Sequence, residues 1–188
     1  MWWKSLSETS PPLLTFLYHC MRYFTEPYGF FRMVNEKAIS RTSFETVIRK
    51  LGWPYYLKDP EQVKVVFRCL DPDGGGEVSH AEWLTVEALW KETQLSILEF
   101  LTHVDRVFGG DLDVAWQELD LNGNGVIDYK EWEAAMRFVG YFGPTAPIFN
   151  IVADNNKSIS KEGWAKLRVY WRDRDKLRRD IIGASPGT

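Results

Sequence analysis

The stretch that decides the fold is residues 120–131, which read DLNGNGVIDYKE. It begins with Asp, has Gly at its sixth position, an apolar residue at its eighth and Glu at its twelfth, and Trp132 follows it directly. Side-chain oxygens stand at its first, third, fifth, ninth and twelfth positions. Because glycine adopts the backbone conformation that a sharp turn needs, the stretch can bend these oxygens toward one point. The pattern predicts an oxygen-lined loop that holds a cation.

A second stretch repeats the pattern at residues 71–82, which read DPDGGGEVSHAE. It shares the first Asp, the sixth Gly, the apolar eighth residue and the final Glu, and Trp83 follows it. Its fifth position is Gly75, which has no side chain, so water has to fill that place in a ligand shell. Three consecutive glycines also raise the entropy cost of ordering the loop. We therefore expect weaker binding here than at residues 120–131.

Calcium is the cation that this spacing suits. Ca²⁺ takes roughly six to eight oxygens, from side chains at positions 1, 3 and 5, a carbonyl at 7, a direct or water-mediated contact at 9 and a bidentate carboxylate at 12. The candidate ligands of the stronger loop are the side chains of Asp120, Asn122, Asn124, Asp128 and Glu131 with the carbonyl of Val126. Those of the weaker loop are the side chains of Asp71, Asp73, Ser79 and Glu82 with the carbonyl of Glu77.

Both loops resemble those of EF-hand proteins, the calmodulin-like superfamily. The resemblance implies a helix–loop–helix fold, Ca²⁺ as the bound ion, and loops that pair through a two-stranded contact between their position-8 residues. In both loops that apolar residue precedes an aromatic one by five places, and the same spacing recurs at Ile39–Phe44 and Ile159–Trp164. We therefore predict four EF-hand units, with further loops at 32–43 and 152–163.

These two outer loops are expected to hold no metal. Loop 32–43 has Arg32 at position 1, Lys37 at position 6 and Ser43 at position 12. Loop 152–163 has Asp154 and Asn156 at positions 3 and 5, but its remaining key positions do not fit: Val152 at 1, Lys157 at 6, Gly163 at 12 and Glu162 one place early. Each pair of loops would then contain one competent and one structural member.

The expected fold is all-α, with two lobes of paired EF-hands joined by a helical connector. The lobes are predicted at 12–90 and 111–182, and the connector at 91–110. Residues 11–31 contain the first entering helix, which Pro27 and Gly29 interrupt. The helix after loop 71–82 continues toward Phe108, Gly109 and Gly110 end it, and Asp111 caps the next. The last helix is expected from about 160 to 181.

Composition narrows the class of protein. The 188 residues are 45% hydrophobic and 26% charged with a net charge of −3, which is typical of a globular chain. The apolar stretches are too short to span a membrane, the first residues lack the order of a signal peptide, and two cysteines do not form a disulfide framework. We expect an intracellular protein of unknown compartment, with a place peripheral to a membrane complex as one alternative.

No enzyme is expected. The three histidines and two cysteines show no zinc spacing. The sequence has no glycine-rich phosphate-binding loop, and the run Gly74–Gly76 belongs to the calcium loop. The overall acidic charge also makes nucleic acid an unlikely partner.

Three functions fit these patterns. The first is a calcium-responsive adaptor or sensor that acts through protein–protein interaction. The second is a structural subunit of a larger assembly, with a membrane-associated complex as one alternative. In this role calcium is either a permanent structural ion or absent. The third is a calcium buffer.

Two features bear on partners. Nine Trp residues suggest an aromatic-rich apolar surface for a protein partner, and Trp2 and Trp3 could anchor into a partner or a membrane interface. The helix at 161–180 carries eight Lys or Arg against four acids, which fits either a solvated face or contact with an anionic surface.

Overall fold

A computed structural model describes residues 4–153 and 157–182, and Trp2, Trp3, Asp154 and Asn156 lie outside these ranges. The fold is all-α, as predicted. The helices are α1 Lys4–Glu8, α2 Pro11–Tyr23, α3 Gly29–Val34, α4 Arg41–Leu51, α5 Tyr55–Lys58, α6 Pro60–Leu70, α7 His80–Phe108, α8 Leu112–Leu119, α9 Tyr129–Phe138, α10 Thr145–Val152, α11 Lys161–Ala165 and α12 Leu167–Ile182. The strands are β1 Ala38–Ser40, β2 Glu77–Ser79, β3 Val126–Asp128 and β4 Ser158–Ser160. Across the described ranges, every helix is too short or too polar to cross a bilayer.

The chain divides into two compact units. The first ends at Glu92 and the second begins at Thr93. The boundary falls inside α7, whose course to Phe108 agrees with the predicted continuation of the helix. Asp111 caps α8 as predicted, because its Oδ1 accepts hydrogen bonds from the backbone N–H groups of the next turn. The predicted lobe limits of 12–90 and 111–182, with the connector at 91–110, stay a prediction.

Each unit contains one antiparallel two-stranded contact between its loops. In the first unit β1 pairs with β2, with Ile39 opposite Val78, and in the second β3 pairs with β4, with Ile127 opposite Ile159. All four side chains are fully buried. The predicted pairing of position-8 residues is therefore confirmed. Because so short a ladder is marginal alone, burial of these apolar side chains has to stabilise it.

One detail agrees with the expected helices and two differ from them. The segment 11–31 is divided into α2 and the short α3, with the interruption that Pro27 and Gly29 predicted. The short helix α5 was not predicted. The last helix is broken at Lys166 into α11 and α12 instead of running without interruption.

The aromatic residue that follows each loop lies in the core of its unit. Phe44, Trp83, Trp132 and Trp164 are almost completely buried. Three of them also donate an indole N–H to a backbone carbonyl near the start of the helix that enters the partner loop. These bonds join Trp83 to Pro27 at 2.9 Å, Trp132 to Thr145 at 3.2 Å and Trp164 to Leu112 at 2.7 Å.

This packing corrects the interpretation of the Trp content. The buried tryptophans among the described residues are Trp53, Trp83, Trp90, Trp116, Trp132 and Trp164. Their indoles fill the two cores and hold paired loops together, so the number of Trp residues does not by itself indicate a partner surface.

Candidate metal centre

Loop 71–82 is shaped by its first Asp and its glycines. Gly74 and Gly76 both adopt the left-handed region, with φ of 74° and 83°. This turn brings two backbone N–H groups onto the Asp71 carboxylate: Gly75 N lies 2.9 Å from Oδ1 and Gly76 N lies 2.9 Å from Oδ2. Position 1 is therefore held toward the inside of the loop, and Asp71 is only 8% exposed.

Three carboxylates of this loop converge. Asp71, Asp73 and Glu82 each offer an oxygen, and these oxygens all lie within 4.8 Å of one another. Ser79 orients the glutamate, because its N–H and its hydroxyl donate to Glu82 Oε2 at 2.8 and 2.6 Å. The structure thus brings together the predicted side chains of positions 1, 3, 9 and 12.

The other oxygen of this glutamate decides whether a cation fits. Glu82 Oε1 is buried and, in the part of the chain that the structure describes, no donor reaches it. A buried carboxylate oxygen without a donor is costly, and three acids at this separation repel one another. An oxygen-coordinated cation removes both costs, and a carboxylate at position 12 is the closing ligand of a calcium loop. The residues present therefore fit Ca²⁺.

The gap at position 5 lies where the sequence predicted it. A Cβ built on Gly75 would be 3.1 Å from Asp73 Oδ1 and 3.9 Å from Asp71 Oδ1. A side chain at this position would thus start beside the carboxylates that form the site. With glycine there, the loop lacks one ligand that the protein could have supplied.

Loop 120–131 has the same backbone shape. Gly123 and Gly125 adopt φ of 69° and 80°, at the places that Gly74 and Gly76 occupy in the other loop. Asp120 again accepts two backbone N–H groups, from Asn124 at 3.2 Å and Gly125 at 2.8 Å. Position 1 is therefore oriented alike in both loops.

Hydrogen bonds within this loop also hold Asn122 and Glu131 in place. Glu131 Oε1 accepts the N–H of Asn122 at 3.0 Å, which brings position 12 back across the loop to position 3. Asn122 Oδ1 accepts the N–H of Asn124 at 3.0 Å. Asp128 caps α9 through the N–H of Glu131 at 2.9 Å. Within the described residues, three carboxylates converge in loop 71–82. In loop 120–131 positions 3 and 5 are amides, and the carboxylate of Asp128 caps α9.

One requirement of both loops was missed from sequence. The fourth position is glycine in a left-handed conformation in each, in addition to the sixth. The signal was available, because Gly74 and Gly123 stand at the same place in two loops that the spacing had already aligned. Residues other than Gly and Asn rarely adopt this backbone conformation.

Hydrogen bonds and an ion pair engage the side chains at the key positions of the first outer loop. Ser43 at position 12 donates its hydroxyl to Glu36 Oε1 at 2.8 Å, and Ser40 donates its own to Ser43 at 3.0 Å. Arg32 at position 1 forms an ion pair with Glu26, which lies before the loop. Hydroxyl–carboxylate hydrogen bonds thus connect positions 5, 9 and 12, which in a competent loop contribute ligands.

The second outer loop lacks its closing carboxylate. Position 12 is the buried Gly163, and the neighbouring Glu162 is exposed. Val152 at position 1 is completely buried. Both features agree with the expectation that this loop is structural.

Comparison with known protein families gives a match for one segment of the chain. Residues 111–138 match the EF hand domain. This range contains α8, loop 120–131 and α9, which form one helix–loop–helix. The match supports calcium as the ion of this EF hand, and EF hands are typically binding domains without enzymatic activity. The chain matches no curated protein sequence and no solved structure.

Proposed function

We propose that the protein binds two Ca²⁺ ions, one in loop 71–82 and one in the EF hand at 111–138. The observation that carries this proposal is Glu82 Oε1, which is buried beside Asp71 and Asp73 and receives no hydrogen bond from the residues that the structure describes. In each loop the first Asp and the twelfth Glu would hold the ion. Two ions would change the formal net charge from −3 to +1.

The proposal extends to four EF-hand units. Loops 32–43 and 152–163 carry a β-strand of the same length and register as their partners. Each is followed by a buried aromatic residue, Phe44 or Trp164. These features support outer units that are EF hands in shape, and their position-12 residues, Ser and Gly, support the proposal that these two loops hold no metal.

We propose that the protein acts through protein–protein interaction, as a calcium-responsive adaptor or sensor. Two of the most exposed aromatic side chains support this role: Phe138 is 73% and Phe142 is 88% exposed. Both flank the buried Tyr141, whose hydroxyl donates to Glu99 at 3.0 Å. The end of α9 and the loop after it thus present two apolar rings to solvent, which suits a partner contact.

A structural subunit is the second candidate. The packing of the two cores favours this role. In each unit the aromatic residues of the paired loops already surround a helix of this chain, so the interior of the loop pair is filled. A calcium buffer stays the third candidate. We infer an intracellular location for any of these roles, which the free Cys20 and Cys69 support.

For the basic helix at 161–180, a solvent-exposed face is favoured over contact with an anionic surface. Arg168 pairs with Asp113 at 2.7 Å and Arg172 with Asp173 at 3.0 Å. These ion pairs neutralise part of the outward positive charge of α12.

The test is isothermal titration with Ca²⁺ in millimolar Mg²⁺ on the full chain. We expect two binding events, at least one of them roughly micromolar. Glu131→Gln and Glu82→Gln should each remove one event, because a charge and the bidentate oxygen pair are lost together. Glu162→Gln is the matched control and should leave both events unchanged, since that side chain is exposed outside the ligand positions. Two unchanged events in Glu131→Gln would refute the loop assignment.

A second experiment separates the two leading roles. Partner recovery on the immobilised chain is compared with calcium and with chelator, using Phe138→Ala and Phe142→Ala as surface variants. Recovery that requires calcium supports the adaptor, and recovery that is equal in both conditions supports the structural subunit.

A further inference from the structure

Helix α2 occupies the centre of the first unit. Phe16 is almost completely buried, and its ring lies 5.4 Å from Phe44, 6.0 Å from Trp53 and 6.3 Å from Trp83. Phe30 of α3 completes the surrounding set at 5.8 Å. The rings come from both helix–loop–helix segments of the unit, so Phe16 is enclosed by an aromatic cage that the paired loops build together.

Helix α7 plays the same part in the second unit through Phe100. Its ring is buried and lies 5.6 Å from Trp132, 5.4 Å from Tyr141 and 6.0 Å from Trp164. Phe44 and Trp132 follow the first loop of their pairs, and Trp83 and Trp164 follow the second. Trp53 and Tyr141 each come directly after a left-handed glycine, Gly52 or Gly140. The two cages are therefore built from corresponding positions.

A histidine three residues after each phenylalanine makes the same hydrogen bond. His19 Nε2 donates to the carbonyl of Leu51 at 2.9 Å, and His103 Nε2 donates to the carbonyl of Val139 at 3.0 Å. Each carbonyl belongs to the residue just before a left-handed glycine that ends the helix, Gly52 or Gly140. Terminal helix carbonyls have no partner within the helix, so each histidine satisfies one of them.

The two segments share a sequence pattern. Residues 13–24 read LLTFLYHCMRYF and residues 97–108 read ILEFLTHVDRVF. The identical pairs are Leu14 and Leu98, Phe16 and Phe100, Leu17 and Leu101, His19 and His103, Arg22 and Arg106, and Phe24 and Phe108. The repeating unit is thus a helix followed by a pair of loops, and it occurs twice. We name residues 13–24 and 97–108 the cleft segments.

We propose that the interior of each loop pair is a helix-binding cleft that selects the pattern Phe-Leu-x-His-x-x-Arg, and that the cleft segments are its resident occupants. The aromatic cage accepts the phenylalanine ring, and the terminal carbonyl accepts the histidine N–H. A helix without this histidine would leave the carbonyl buried and unpaired, which disfavours other ligands. The cleft is thereby closed to outside helices that cannot replace both contacts.

Tethering explains why a resident segment excludes competitors. A segment joined to its cleft by a few residues has an effective concentration on the order of millimolar, so a free peptide at ~1 µM competes poorly. Weakening the resident contact should open the cleft by the same reasoning. This inference rests on the core packing of the units and does not require calcium in either loop.

The experiment uses the full chain and a fluorescent peptide of residues 93–108, with anisotropy measured in calcium and in chelator. Wild-type protein should show little binding. Phe100→Ala empties the cage of the second unit, so that variant should bind the peptide at least about ten-fold more tightly than wild type. A peptide in which Phe100 and His103 are both alanine should bind neither protein.

The matched control is Val169→Ala, which truncates an exposed apolar side chain of the second unit, and it should behave as wild type. Phe100→Leu keeps an apolar side chain in the cage and serves as the second variant if Phe100→Ala does not fold. It should also bind the peptide more tightly than wild type. Equal binding by wild type and both Phe100 variants would overturn the proposal, as would failure of a folded Phe100 variant to bind. Calcium titration of the same proteins tests the calcium sites separately.

Discussion

At the scale of single residues, the two candidate calcium loops differ at position 5. Asn124 fills it in loop 120–131, and its side-chain oxygen accepts the N–H of Val126 at 2.8 Å. Gly75 leaves it open in the other loop, although the position is directed at Asp73 and Asp71. Gly75 is also outside the left-handed region, unlike its neighbours on either side. A side chain can therefore be added there without backbone strain.

We predict that Gly75→Asn strengthens calcium binding by loop 71–82. The added amide oxygen supplies the missing ligand, and the small displacement it requires of the Asp73 side chain is within that group's flexibility. A gain of about five-fold in affinity, or ~1 kcal/mol, is expected. Isothermal titration in the Glu131→Gln background isolates this loop.

Gly74→Asn is the control for this change. It introduces the same side chain one residue earlier, where a Cβ meets nothing within 4 Å and the backbone is left-handed. No gain in affinity is expected from it. An equal gain in both variants would mean that the asparagine acts through the flexibility of the loop and not as a ligand.

At the scale of elements, indole hydrogen bonds join three of the four paired loops to the helix that enters the partner loop. Trp164 makes the shortest of the three, to Leu112 at 2.7 Å, and is almost completely buried. The first loop is followed by Phe44, which has no such donor. The difference shows that ring burial is common to all four positions and that the hydrogen bond is an additional contact.

We predict that Trp164→Phe lowers the free energy of unfolding by more than the loss of apolar area alone. The Leu112 carbonyl would lose the indole hydrogen bond inside the core, at a cost of about 1 kcal/mol. Urea denaturation measured by circular dichroism gives the change. Trp171→Phe, at a half-buried ring that carries Arg174 at 4.2 Å, should cost less. Equal losses in the two variants would contradict a role for the indole bond.

At the scale of the whole molecule, both units contain a buried histidine that favours its neutral form. Burial lowers the pKa of His19 and His103 below the usual 6.5, and Arg22 and Arg106 lower the pKa of the nearer histidine further. The carbonyls of Leu51 and Val139, and Glu99 beside His103, oppose this shift without reversing it. Arg106 also donates to His103 Nδ1 at 3.0 Å, a contact that protonation would abolish.

We predict that stability falls as the pH drops below about 6.5. The unfolded chain then binds protons at both histidines while the folded chain does not, so the free energy of unfolding decreases until the lowered folded pKa values are reached. The slope is at most about 1.4 kcal/mol per pH unit for each histidine. Urea denaturation in chelator at pH 7.5, 6.5 and 5.5 measures it.

The double variant His19→Gln and His103→Gln is the comparison. Glutamine keeps an N–H donor but does not titrate, so this protein should lose less stability over the same pH interval. Carboxylates contribute equally to both proteins and cancel in the difference. Identical pH dependence in the two would exclude the histidines as its source.

Local spacing was sufficient to predict the loops and their pairing. Residues 120–131 and 71–82 satisfy a ligand geometry within twelve consecutive positions, so no distant contact is needed to recognise them. The position-8 register followed from the same alignment, because Ile39, Val78, Ile127 and Ile159 each precede an aromatic residue by five places. The interruption of residues 11–31 and the cap at Asp111 were likewise readable from single residues.

Tertiary packing decided what the remaining aromatic and apolar residues do. Sequence shows nine Trp residues but not which side of the molecule they occupy, and the fold places six of them in the cores. Helix α2 was predicted as part of an entering helix, whereas it fills the interior that the paired loops enclose. These roles depend on contacts between residues far apart in the chain, such as Phe16 with Trp83 and Trp164 with Leu112, whose distances no local pattern encodes.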